Sequence, residues 1–134
     1  MSVLDKFLSE GLKNTILLRN NSGFSHAGSY VTAENNTLLD RWHLGDFSSV
    51  EYTISADYDS KNREILKCLV TASLDKSNLK IYSRCATNID LVDVEARVNN
   101  SYVDVLIQPK TPKLSKTKVI FTAQYFQAQN PLVL

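Results

Sequence analysis

The stretch VDVEARVNNSYVDVLI, residues 92–107, alternates apolar and polar side chains on both sides of an asparagine pair. Alternation with a period of two places one set of side chains on a core and the other in solvent, as in a half-buried β-strand. Asn99-Asn100, lying between two such runs, favours a tight turn. The stretch therefore predicts an antiparallel hairpin.

The same period continues on both sides of this hairpin, and turn-forming residues separate the runs. The predicted strands cover residues 50–56, 65–72, 79–84, 92–98, 103–107 and 119–125, with a seventh at 38–44. Since no long helical pattern interrupts them, a parallel sheet is excluded. The sequence predicts a mainly β fold, an antiparallel β-sandwich of about six to eight strands with a short N-terminal helix and an extended arm.

The N-terminal part has a different pattern. Residues 2–5 have the spacing of a helix capping box, and large apolar residues follow at helical intervals, which predicts an amphipathic helix over residues 3–12. Residues 19–37 are polar and turn-forming, so we expect an arm or a pair of loops there. We assign residues 1–37 as an attachment segment and 38–134 as the sandwich. The apolar stripe would dock on the sandwich itself or on a partner chain; its residues are Leu4, Phe7, Leu8 and Leu12.

Length and charge limit the classes of function. With 134 residues the chain suits one domain, and 15 basic against 14 acidic residues give a net charge of only +1. This balance provides no long-range field for nucleic acid or an anionic membrane. No apolar run is long enough to span a bilayer, and the first residues lack the pattern of a secretion signal. Lys110, Lys113, Lys116 and Lys118 favour a solvated loop, with a phosphate patch as the alternative.

Few residues are candidates for catalysis or metal binding. Cys68 and Cys85 lie in apolar strand-like runs, which favours two buried, reduced thiols over a disulfide or a metal site. His26 and His43 lack a convergent partner in the sequence, and residues 57–62 begin like a calcium loop but place Lys61 where an oxygen ligand is required. No nucleophile, phosphate-loop or zinc motif is present. We therefore expect no enzymatic activity, no cofactor and no metal.

Three aromatic residues on or beside the predicted strands are candidates for a ligand or partner surface: Trp42, Tyr82 and Tyr102. Aromatic side chains on a sandwich face can stack on sugars or contact a protein. The alternative is that each is half-buried by its cross-strand neighbours. A carbohydrate-binding module is the function that the first possibility predicts.

Residues 38–54 carry a resemblance to a known family. Phe47, Ser48, Ser49, Val50 and Tyr52 follow an aspartate- and aromatic-containing strand, and the later strands keep the order of that family across residues 38–126. In these features the chain resembles a module of virion structural proteins of marine tailed phages, notably those that infect cyanobacteria.

The resemblance implies a non-enzymatic structural protein of the virion, assembled in the host cytoplasm. The sandwich would be exposed on the particle as a capsid decoration or as a tail, neck, baseplate or fibre component, held by its N-terminal segment. Its partners would be other virion proteins, and it would be a homo-oligomer or be present in many copies.

Overall fold

A computed structural model describes residues 15–17, 23–32 and 36–130. In these ranges the chain forms β-strands and one short 3₁₀ turn at Pro112–Leu114. The strands are β1 (Thr15–Leu17), β2 (Gly23–Val31), β3 (Thr37–His43), β4 (Phe47–Asp57), β5 (Arg63–Ala72), β6 (Ser77–Ala86), β7 (Val92–Asn99), β8 (Tyr102–Pro109) and β9 (Lys118–Gln127). Among the described residues, no helix has the length and hydrophobicity needed to cross a membrane.

The strands form two antiparallel sheets. The larger sheet has the order β1-β2-β9-β4-β5-β6, and the smaller has the order β3-β8-β7. Burial alternates along the strands of the larger sheet, most regularly in β5 and β9, so each of these strands has an inner face on the core and an outer face in solvent. The predicted antiparallel β-sandwich is confirmed, including the seventh strand at the position of β3.

Residues 23–31, which we expected in an arm or a loop, form β2. This strand pairs with β9 along its whole length, from Gly23 opposite Phe126 to Val31 opposite Lys118. The sequence of β2 does not have the regular alternation of a strand, so its extended conformation depends on hydrogen bonds to the backbone N–H and C=O groups of β9. The predicted helix over residues 3–12, with Leu4, Phe7, Leu8 and Leu12, lies outside the described residues.

The β7–β8 hairpin turns one residue later than predicted. Asn99 and Tyr102 form the last pair, and Asn100 and Ser101 are the two turn residues, with φ of 50° and 73°. Two successive residues with positive φ are typical of a type I′ turn, whose twist matches that of the flanking strands. Asn tolerates this conformation better than most residues do.

A network of polar side chains connects the two sheets inside the sandwich. The hydroxyls of Tyr52 in β4 and Tyr125 in β9 both donate to Oδ2 of Asp40 in β3, at 2.7 and 2.6 Å. Trp42 Nε1 donates to the Tyr52 hydroxyl oxygen at 3.1 Å. Burial, and then the charge of Asp40, raises the pKa of Tyr52 well above its usual value. The Tyr52 hydroxyl therefore stays protonated and fixes one sheet against the other.

A buried ion pair closes one end of the core. Arg84 Nη1 in β6 lies 2.7 Å from Oε2 of Glu64 in β5, whose side chain is fully buried. Oε1 of Glu64 accepts the backbone N–H groups of Leu91 and Val92 at 3.1 and 3.3 Å. Arg84 also donates to the Val92 carbonyl at 3.1 Å. These bonds hold the crossover from the larger sheet to β7.

The two cysteines differ in exposure. Both are free, but Cys68 is buried and Cys85 is exposed, so the prediction of two buried thiols is wrong for Cys85. The reason is a β-bulge in β6 at Tyr82: Ile81 pairs with Cys68, while Ser83 pairs with Lys67. One extra residue reverses which side chains face the core beyond the bulge, and this places Cys85 outside.

We expect a thiol reagent to modify one cysteine of the folded protein quickly and the second only after denaturation. Burial raises the pKa of Cys68 to about 12, so this residue has almost no reactive thiolate at neutral pH. Mass spectrometry with and without denaturant measures the number of labels, and Cys85→Ser identifies the fast site. Fast labelling of the Cys85→Ser protein would contradict the assignment.

Candidate functional site

Trp42 does not form a ligand surface. Its side chain is buried, with 3% exposed, and its indole N–H is bonded to Tyr52. A bulge between Leu38 and Asp40 sets the register of β3 so that both Leu39 and Trp42 point into the core. Of the three aromatic candidates, Trp42 therefore belongs to the core, and Tyr82 and Tyr102 remain accessible.

The outer face of the larger sheet exposes large apolar side chains. On a fully solvated sheet face we would expect mainly polar residues, and such apolar groups often mark an interaction surface. They lie on β5, β6 and β9, with between 45% and 59% of each residue exposed: Ile65, Leu69, Tyr82, Ile120 and Phe126.

A shallow depression of about 300 Å³ lies on this outer face. Phe126 and Leu69 form its apolar sides, while Glu51 and Lys80 bring opposite charges to it. Hydroxyl and amide groups complete the lining, from Ser49, Thr71 and Asn78. We call this feature the β4–β6 depression.

Tyr82 stands at the border of the β4–β6 depression. Its hydroxyl donates to Oε1 of Glu51 at 3.3 Å, and the residue is 45% exposed. Partial desolvation, and then the charge of Glu51, raises the pKa of Tyr82. A protonated phenol beside a carboxylate supplies a donor and an acceptor next to an exposed ring, which are the groups that bind a sugar hydroxyl and the apolar face of a sugar.

Tyr102 lies on the other surface, the outer face of the smaller sheet. Its ring contacts His43 edge to face, with the ring centroids 5.0 Å apart, and the residue is 40% exposed. Nδ1 of His43 accepts the backbone N–H of Gly45 at 2.9 Å, which orients the imidazole. The structure therefore places Tyr82 and Tyr102 on different sheets, and they do not form one site.

An ion pair occupies the centre of that smaller face. Arg41 binds Asp104 through two bonds, Nε to Oδ1 at 2.6 Å and Nη2 to Oδ2 at 3.1 Å. The hydrogen bond from Arg41 is the main cause that lowers the pKa of Asp104, and Asn99 contributes a further bond. Because each charge is satisfied by the other, this pair stabilises the sheet face and offers little to a charged ligand.

The remaining candidate residues do not come together in a catalytic or metal site in the part of the chain that the structure describes. In the Asp57–Asn62 turn, Oδ1 of Asp59 accepts the backbone N–H groups of Lys61 and Asn62, both at 2.8 Å, so the turn is closed by its own bonds. No cluster of His, Cys, Asp or Glu in the described ranges has the arrangement of a metal site. His26 lies in β2, and its side chain is outside what the structure describes.

The lysine-rich loop is anchored at several points. Lys110 forms an ion pair with Asp93 at 2.8 Å, and Leu114 and Thr117 are buried. The backbone of Thr32 exchanges hydrogen bonds with Thr117 and Lys116 at 2.9 and 2.8 Å. These contacts agree with a structural loop better than with a phosphate patch.

Sequence patterns did not identify Phe126, Leu69 or the β4–β6 depression. Leu69 lies in a run of mainly apolar residues that predicts a strand buried on both faces, and Phe126 lies near the end of β9. Only the strand order β9-β4-β5 places them on the two sides of β4. The outward orientation of Phe126 could have been predicted from the alternation of β9. Tyr125 is an inward residue of this strand, so the next residue, Phe126, points outward.

No protein family matches the sequence, and no curated protein matches it. Solved structures to which the chain is similar include two tailspike proteins of Acinetobacter phages. The tailspike of Acinetobacter phage vB_ApiP_P1 is 9% identical, with a TM-score of 0.49 over 76% of this chain and 21% of its own. Gp49 of Acinetobacter baumannii bacteriophage Fri1, described as a capsular polysaccharide depolymerase, is 10% identical, with a TM-score of 0.51 over 96% of this chain.

The Fri1 protein contradicts our expectation that the chain is not an enzyme. A chain with this fold is described as a depolymerase, so the lack of a recognised catalytic motif was not a sufficient ground for that expectation. The present chain spans only 22% of the Fri1 tailspike. At 10% identity the similarity establishes architecture: the chain has a β-sandwich fold that also occurs within a phage tailspike.

Proposed function

We propose that this chain is a tail-associated component of a bacteriophage particle and that it contacts a polysaccharide of the host surface. The observation that carries the proposal is the similarity to the Fri1 tailspike, which extends over 96% of the chain. That neighbour acts on a capsular polysaccharide, so the ligand we propose is a bacterial surface polysaccharide.

The β4–β6 depression is the contact site in this proposal. Sugars present an apolar ring face and a rim of hydroxyls, and sites that bind them combine a hydrophobic platform with donors and acceptors. Phe126 and Leu69 supply the platform, and Glu51, Asn78 and Thr71 supply the polar groups. The opposite face is less suited, because Arg41 and Asp104 already satisfy each other there.

The location on the particle, the host range and the means of attachment are predictions. A tail location is favoured over capsid decoration, and the assignment to marine or cyanobacterial phages stays a prediction. Attachment to other virion proteins through Leu4, Phe7, Leu8 and Leu12 also stays a prediction. On a particle with many copies, each weak sugar contact would be strengthened by avidity.

We expect Phe126→Ala and Tyr82→Ala each to weaken polysaccharide binding roughly tenfold, because each removes a half-exposed aromatic platform worth about 1–2 kcal/mol when covered. An array of purified bacterial capsular polysaccharides identifies the bound members, and biolayer interferometry on those members measures the affinities.

Tyr58→Ala is the matched control, since Tyr58 is 37% exposed and lies in the turn after β4. It should bind like the unchanged protein. Loss of binding in Tyr102→Ala but not in Tyr82→Ala would move the site to the smaller sheet. If the unchanged protein binds no polysaccharide on the array, the proposed function is wrong. Release of new reducing ends in the same mixtures measures depolymerisation.

A further inference from the structure

A trough runs along β4 on the outer face of the larger sheet. The outward side chains of β4 include Ser49, Thr53 and Ser55, which are short, and the first two are half-buried. The strands on both sides carry longer or more exposed side chains at the paired positions. Ser55, for example, lies between Ile65 of β5 and Ile120 of β9, which are 47% and 59% exposed.

The trough extends well beyond the β4–β6 depression. At its first end Ser49 lies between Thr71 and Phe126, and in its middle Thr53 lies between Lys67 and Thr122. From Ser49 to Ser55 the strand rises about 20 Å, at roughly 3.3 Å per residue. A surface of this length, with three hydroxyls and the longer Glu51 side chain along its floor and apolar groups along its walls, fits several consecutive sugar residues better than a single terminal one.

Positive charge predominates along the trough. The cationic side chains of its walls and ends are Arg63, Lys67, Lys80 and Lys118, and the anionic ones are Glu51 and Asp57. Arg63 and Asp57 pair loosely at 3.9 Å. Within the described part of the chain, Lys67, Lys80 and Lys118 form no ion pair. Three lysines that form no ion pair, on a surface with four cationic and two anionic side chains, favour an anionic ligand.

We propose that this trough binds an extended segment of an acidic polysaccharide, with sugar rings against Phe126, Leu69 and Ile120 and sugar carboxylates beside Lys67, Lys80 and Lys118. The inference rests on the proposed function and adds the class of ligand and its direction along β4. It predicts that affinity depends on ligand charge and on chain length, two properties that a pocket for one neutral terminal sugar would not require.

The first test changes the ligand and leaves the protein unchanged. Capsular polysaccharides bound on the array are measured before and after carbodiimide–borohydride reduction, which converts sugar carboxylates into hydroxyls. We expect reduction to weaken binding at least tenfold. We also expect oligosaccharides prepared from the same polymers to bind more tightly as they lengthen, up to the length of the trough, and added salt to weaken binding because it screens exposed charges.

The second test removes charge from the trough. The double variant Lys67→Gln with Lys80→Gln should weaken binding of the unreduced polymer about tenfold, since each exposed ion pair contributes modestly. Arg97→Gln with Lys110→Gln is the matched control, because it removes the same charge from exposed positions on β7 and after β8, in the smaller sheet and away from the trough. Both variants change exposed side chains, and their melting temperatures verify that they fold.

The outcomes separate this inference from the proposed function. If reduced and unreduced polymers bind equally, or if the two double variants bind alike, the acidic ligand is excluded, while the sensitivity to Phe126→Ala still supports sugar contact. If affinity does not grow with oligosaccharide length, the extended orientation is excluded. If no polysaccharide binds at all, both the inference and the proposed function fail.

Discussion

Replacing Glu64 by alanine is expected to lower the free energy of unfolding by about 3–5 kcal/mol, since Arg84 loses its buried partner at 2.7 Å and keeps the half-exposed Asp90 at 3.7 Å. Arg84 would keep its charge with a side chain only 19% exposed. The N–H groups of Leu91 and Val92 would lose their acceptor in a part of the core where both residues are fully buried. Urea denaturation of the two proteins measures the difference.

Glu95→Ala is the control for this change. Glu95 also forms an ion pair with an arginine, Arg97 at 2.5 Å, but both side chains are about half exposed. A surface pair contributes between zero and about 1 kcal/mol, so this variant should remain close to the unchanged protein. Equal effects of Glu64→Ala and Glu95→Ala would mean that the buried pair does not stabilise the crossover.

Asp40→Ala should cost about 2–4 kcal/mol, the second largest effect that we expect. The carboxylate accepts hydrogen bonds from the hydroxyls of Tyr52 and Tyr125, and a bond to a charged acceptor contributes about 1.5–3 kcal/mol. Its loss leaves two hydroxyls in the core without their shared acceptor. Thermal unfolding followed by circular dichroism measures the loss as a decrease of roughly 10 °C in Tm.

Asp75→Ala removes the same functional group from an exposed turn and should leave Tm unchanged within a degree or two. Tyr125→Phe gives a finer test, because it deletes one hydroxyl and keeps the ring against Phe47, 4.9 Å away between centroids. Its cost should be smaller than that of Asp40→Ala. An Asp40→Ala protein as stable as the Asp75→Ala protein would show that the network does not connect the sheets energetically.

Strands with strong alternation were predictable from the sequence, and the reason is physical. In β9, and in β4 from Val50 onward, the period of two separates core from solvent without interruption, so local pattern and tertiary structure agree. The hairpin of β7 and β8 adds a turn whose residues accept positive φ. The predicted turn was one residue too early, because Asn99 and Asn100 are adjacent and asparagine at either position accepts the conformation of the turn.

β2 and the bulges in β3 and β6 could not be predicted in this way. β2 contains Gly23 and Gly28 and depends on the pairing groups of β9, which are distant in sequence. A bulge is a property of two strands together, and it inverts the inward and outward sets beyond it. This inversion determined the burial of Trp42, which was one of two possibilities that the sequence left open, and the exposure of Cys85, which we predicted to be buried.

The candidate site was predictable only in part. Tyr82 could be recognised as an exposed strand aromatic, but its partner Glu51 lies on another strand, and their contact depends on the order β4-β5-β6. The trough depends even more on topology. Short side chains on β4 are unremarkable in sequence, and they form a floor only because β5 and β9 lie on either side with longer ones.

The place of β9 in the larger sheet has a consequence for biosynthesis. β9 is the last described strand of the chain, yet it pairs with both β2 and β4, so the sheet cannot close until residue 127 has left the ribosome. Until then β2 and β4 have no partner on that side, and their unpaired edges can join other nascent chains. Pairings so distant in sequence also fold slowly. We therefore expect the larger sheet to form only once β9 has emerged, and a chaperone that covers free strand edges to increase the yield of folded chains.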